Sequence, residues 1–115
     1  MPSRAPWPPA PPSPSLADVA GLAIALDGYR LSLGGKEAPV LDGYTGEQRL
    51  FLGFGQVWRN KSREPTLRRI LLTDGHSPGE YRASTVRNVD AWYEAFGAKP
   101  GQSLYLTPEQ RVRIW

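Results

Sequence analysis

LADVAGLAIALDGYRLSL, residues 16–33, decides how this chain folds. Between Leu16 and Leu26 only Asp18 and Gly21 are not apolar, and Gly34-Gly35 follows. The pattern predicts a helix from Leu16, stopped by glycines whose missing Cβ suits a left-handed cap. A helix on a protein surface would show a polar stripe along its length. This one lacks such a stripe over its first turns and reads as built to be surrounded by protein.

On the N-terminal side the character changes abruptly. MPSRAPWPPAPPSPS, residues 1–15, contains most of the chain's 12 prolines. Proline has no N–H and a fixed φ, so this stretch is expected to be a disordered tail outside any core. Its PxxP spacings, Pro6 to Pro9 among them, also suit a ligand for a proline-reading domain.

On the C-terminal side, KEAPVLDGY reads as a loop, and Thr45 to Gln48 as a capping box. The helix that follows carries Leu50, Phe51, Phe54, Val57 and Trp58 at helical spacing. Gly53 and Gly55 weaken it by roughly 1 kcal/mol each, which suggests that they admit a close neighbour. Pro65 suits the first turn of a short helix presenting Leu67, Ile70 and Leu71 on one side. HSPGEYR, residues 76–82, reads as a loop leading into an extended piece over residues 81–86. Asn88 is the expected N-cap of VDAWYEAF, with Gly97 as its stop. Thr107, Pro108 and Gln110 form a second capping box. The fold class is therefore mainly α: one small helical domain with at most short strand fragments.

Composition narrows the chemistry. The 115 residues suffice for one domain, and the net charge of +3 is spread without a basic run, so nucleic acid is not an expected partner. With no cysteine and one histidine, disulfides, thiol nucleophiles and cysteine-based zinc sites are excluded. No stretch is long and apolar enough for a membrane span, and prolines interrupt any signal-peptide core, which leaves the cytoplasm as the default compartment. The paired histidines of an H-E-x-x-H helix are absent, as is any phosphate-cradling glycine loop. On the residues alone, His76 is a loop histidine in a helical domain of unassigned purpose.

Several stretches taken together add to this reading. LADVAGLAIALDGY, DGYTGEQRLFLGFGQVWR, LLTDGHSPGEYR and VRNVDAWYEAFGAKPGQSLYLTPEQRVRIW, in this order, resemble the C-terminal end of the neprilysin family of zinc metallopeptidases. That family includes the endothelin-converting enzymes. The resemblance spans residues 16–115, which would then be a partial peptidase C-terminal domain following the 1–15 tail. It implies peptide substrates and a zinc cofactor in the full-length family.

The family's zinc is held by an H-E-x-x-H helix, which nothing here matches, and by the glutamate of an E-N-x-x-D motif. Laid on this sequence, that second motif falls on Pro14, Ser15, Leu16, Ala17 and Asp18. Proline has no donor atom for a metal, so the resemblance implies no metal ligand at Pro14 and no zinc for this chain by itself. Asp18 matches the aspartate that orients a zinc-binding histidine in the family. Its plainer role is a helix N-terminal carboxylate favoured by the macrodipole. His76 falls on the histidine that stabilises the oxyanion, and Arg82 on the arginine that contacts the substrate backbone. Both act on charge that a zinc-bound water must first create.

The resemblance therefore implies a neprilysin-like peptidase domain that is catalytically incomplete alone. The leader standing where the ligand glutamate belongs points to a truncated or frame-shifted remnant. Two alternatives stay open: a half-enzyme docking on a separate H-E-x-x-H chain, and a non-enzymatic interaction module using the PxxP tail or the apolar helix. Either way, the apolar helix predicts self-association.

Overall fold

A computed structural model describes residues 16–59, 61–73 and 79–114. The proline-rich segment, together with Pro14, Ser15, His76 and Trp115, lies outside the described residues. Five α-helices follow in order: α1 Leu16–Ser32, α2 Gly46–Val57, α3 Glu64–Thr73, α4 Gly79–Ala83 and α5 Asp90–Phe96. Two 3-10 turns, Ser84–Asn88 and Pro108–Gln110, complete the described elements. The fold is mainly α, and the strand content among the described residues is an isolated antiparallel bridge between Leu41 and Tyr44. That bridge closes over Asp42-Gly43, both at positive φ (51° and 80°), the pairing that a tight hairpin turn requires.

Helix α1 ends as its glycines dictate, with Gly34 at φ 58° and Gly35 at φ 82°. Thr45 caps α2: its hydroxyl accepts from Gln48 N (3.2 Å) and its own N–H donates to Gln48 Oε1 (2.9 Å). Gln48 does more than close the box, because its Nε2 donates to Ala95 O (2.8 Å) and ties α2 to α5. Gly97, at φ 66°, stops α5.

The core is small. Leu22 and Leu26 of α1, Phe51 of α2, Val86 and Ala91 form its buried centre, with Leu50, Phe54, Val89, Trp92 and Ala95 packed around it. Burying a side chain such as Phe51 stabilises by roughly 2–3 kcal/mol. On α1 only Val19, Leu22 and Leu26 are buried. Ile24 and Leu31, two turns apart on the opposite side, remain 61% and 81% exposed. Among the described residues the helix is thus covered along one side and not surrounded.

Four expectations need correction. The stretch 81–86 is not extended: α4 runs directly into the Ser84–Asn88 turn, so the backbone stays helical throughout. Asn88 is not the cap of α5. Val89 holds that place, and the Asn88 side chain accepts from Val112 N (2.8 Å) and donates to Thr85 O (3.3 Å). Val57, expected on the buried side of α2, is 71% exposed because it lies in the helix's last turn, beyond the core contacts. Gly53 and Gly55 admit no close neighbour, since a Cβ on either would meet nothing within 4 Å. The glycine that does so is Gly46, packed against Tyr29 and Ala38.

Candidate functional site

Three helices bring together three side chains. Asp18 sits in the first turn of α1, Arg82 on α4, and Trp58 is the residue that ends α2. Arg82 Nε donates to Asp18 Oδ2 (3.0 Å) and Nη2 to Oδ1 (2.8 Å), a side-on bidentate pair across 64 residues of sequence. The side chains are 20% and 11% exposed. Charge-assisted bonds of this geometry fix orientation as well as contributing energy, and partial burial spares them most of the screening met by surface pairs. Arg82 also lies over the Trp58 indole, its Cζ 3.7 Å from the ring centroid.

The local sequence explains the placement. Asp18 lies where a carboxylate is favoured by the helix macrodipole. The short α4 aims Arg82 back at it, and the Ser84–Asn88 turn that follows α4 packs on α1. The sequence leaves Asp18 without a known partner; the structure gives it Arg82. Trp58, which sequence periodicity assigns to the face of a helix, instead belongs to the site. No local signal marks it, because its partner lies on a different helix and the stack forms only in the folded chain.

His76 and Pro14 lie outside the described residues, so the trio is Asp18, Arg82 and Trp58. Open depressions lie elsewhere among the described residues: one of about 500 Å³ is bordered by Tyr29, Arg30, Ala38 and Glu47, and another of about 370 Å³ by Phe51, Val86, Trp92 and Leu104. Neither is lined by a member of the trio. Among the described residues, no group of three His, Cys, Asp or Glu side chains could hold a metal ion, and no helix is long and apolar enough to cross a membrane. The Asp18 carboxylate is taken up by the Arg82 guanidinium, and the whole chain contributes one histidine and no cysteine. This donor set does not fit zinc by itself.

Known proteins resemble this chain in both sequence and fold. The sequence profile of peptidase family M13 matches residues 13–112. Neprilysin-1 of Caenorhabditis elegans is 36% identical over 107 residues, which is 88% of this chain and 14% of that protein. Human neprilysin is 34% identical over 106 residues, with 88% and 14% covered. Among solved structures, the zinc metalloprotease Zmp1 of Mycobacterium tuberculosis in complex with an inhibitor superimposes with a TM-score of 0.82 at 54% identity. That match covers 85% of this chain and 15% of Zmp1. The chain thus spans about one seventh of the length of the relatives it matches.

Proposed function

Because the chain belongs to peptidase family M13, we propose that it forms the substrate-positioning side of a neprilysin-type peptidase site and is catalytically incomplete by itself. The bidentate Asp18–Arg82 pair carries this reading. Two residues matched to neighbouring roles in the family's site, far apart in sequence, hold each other at 2.8 and 3.0 Å. Arg82 then presents a guanidinium, oriented by Asp18, to the carbonyl oxygens of a peptide backbone. His76 donates to the oxyanion as the scissile carbonyl becomes tetrahedral, a contribution worth roughly 3 kcal/mol of barrier for a well-aimed donor.

Incompleteness follows from the donor set. One histidine, no cysteine and proline at the glutamate position leave the metal's ligands to be supplied from outside these 115 residues. They would come from more of the same polypeptide or from a second one. The exposed side of α1, with Ile24 and Leu31, favours such docking, since it offers apolar surface to an added segment.

The test is co-expression with a neprilysin-family segment carrying H-E-x-x-H, followed by pull-down, zinc titration and peptide cleavage. A complex is expected, with peptide cleavage low until Pro14→Glu restores the ligand. Cleavage should then rise more than tenfold, His76→Ala should reduce it roughly 100-fold, and Arg82→Ala should chiefly raise KM. Tight stoichiometric zinc and peptide hydrolysis by the chain alone, abolished by His76→Ala, would overturn the reading. Failure to form any complex would end its docking part.

A further inference from the structure

Resting on the reading of Arg82 as the arginine that faces substrate, we propose that Trp58 is a positioning residue that restrains the angle at which this arginine is presented. Asp18 grips the guanidinium along one edge, through Nε and Nη2. Two contacts along an edge define a line, and a planar group can still pivot about that line. Stopping the pivot takes a contact on the face. Trp58 supplies one, with the Arg82 Cζ 3.7 Å from the ring centroid. A cation over an aromatic face is attracted by the ring quadrupole, most strongly by indole.

Two observations separate this role from ordinary packing. Trp58 is not among the core cluster or the partly buried residues packed on it, and its neighbour Val57 is 71% exposed. Its indole Nε1 is also buried without a hydrogen-bond partner among the described residues. A buried orphan donor is unfavourable, and a phenylalanine would cover similar area without one. What indole offers over phenyl here is the stronger attraction for a guanidinium. The backbone makes it a firm platform: Trp58 closes α2, its N–H donating to Gly55 O (3.2 Å).

Nitrogen-15 relaxation of the Arg82 side chain and exchange of its Nε–H with water, measured on the intact 115-residue chain, test the proposal. In Trp58→Leu the exchange should quicken about fivefold and the Nε order parameter should fall, with Trp58→Phe partly restoring both. Site-specific fluorination of the Trp58 ring, which weakens the quadrupole and leaves the shape nearly unchanged, should loosen Arg82 in steps with each added fluorine. Amide signals of Phe51 and Val86 report that the core is intact. An Arg82 side chain indifferent to fluorination overturns the proposal, and this arm decides the matter even if Trp58→Leu fails to fold. Neither zinc nor peptide enters the measurement, so its failure leaves the proposed function standing, and failure of co-expression leaves this result untouched.

Discussion

Gly46 is a position where a single added methyl group has a defined cost. It opens α2, and a Cβ there would press on the Tyr29 hydroxyl and lie 2.7 Å from Ala38 Cβ. Tyr29 can swing aside. Ala38 cannot, because its Cβ is fixed to the backbone of the 36–40 loop. Alanine has the better helix propensity, but overpacking exceeds that gain, so Gly46→Ala should lose about 1–2 kcal/mol. Gly53→Ala is the control. Its Cβ meets nothing within 4 Å, so that change should gain up to about 1 kcal/mol. Urea melts with unchanged slope and opposite shifts in midpoint are the expected result. Sequence alone points the other way, to Gly53 and Gly55 as the crowded glycines, because crowding depends on Tyr29 and Ala38 and those meet Gly46 only once α1 has folded back. The candidate site divides similarly. Family resemblance singles out Asp18 and Arg82 separately without pairing them, and Trp58 is hidden within a helical apolar pattern, because both the pair and the stack exist only across folded helices.

Helix boundaries were the most legible feature of the elements, because their signals are local. Thr45 and Gln48, Thr107 and Gln110, Gly34-Gly35 and Gly97 each act within a few residues of themselves. Asn88 was misread because its partner, Val112, lies 24 residues away. That bond belongs to a strap in which the C-terminal segment is tied across α5. Arg111 lies over Tyr93 (3.6 Å) and donates to Leu106 O and Asp90, and Arg113 adds two further bonds to Asp90. Hydrogen bonds from Arg111, then from Arg113, hold the Asp90 carboxyl below its ordinary value. A carboxylate depressed in this way stabilises above its unfolded pKa, near 3.9, and loses that contribution as pH falls through the folded value. The strap should therefore loosen only in acid, below about pH 4. Asp90 is 53% exposed, so the effect should stay under about 1 kcal/mol. Hydrogen exchange at the Val112 amide should lose protection on acidification, and Asp90→Asn should flatten that dependence and lower protection at neutral pH.

At the scale of the molecule, the apolar first helix sets the behaviour in solution. Its sequence reads as buried all round, but the described residues cover only the Val19, Leu22 and Leu26 side. Periodicity could not anticipate this, because a helix packed on both sides and one packed on a single side with the other left open carry the same residues. Leu16, Ile24 and Leu31 are 64%, 61% and 81% exposed, and Leu72 on α3 is 86% exposed. Each such side chain gains roughly 1.5–3 kcal/mol on full burial, so pairing of α1 faces between copies competes with the ordering it demands. The isolated chain should self-associate in light scattering as its concentration rises, and should bind a dye that reports apolar surface. Ile24→Lys with Leu31→Lys should weaken association roughly 100-fold while leaving the helical signal intact, because both point away from Leu22 and Leu26. The same double variant should lose the complex with an H-E-x-x-H segment if that segment docks on this face. A monodisperse parent chain that binds no dye would remove the basis for both expectations.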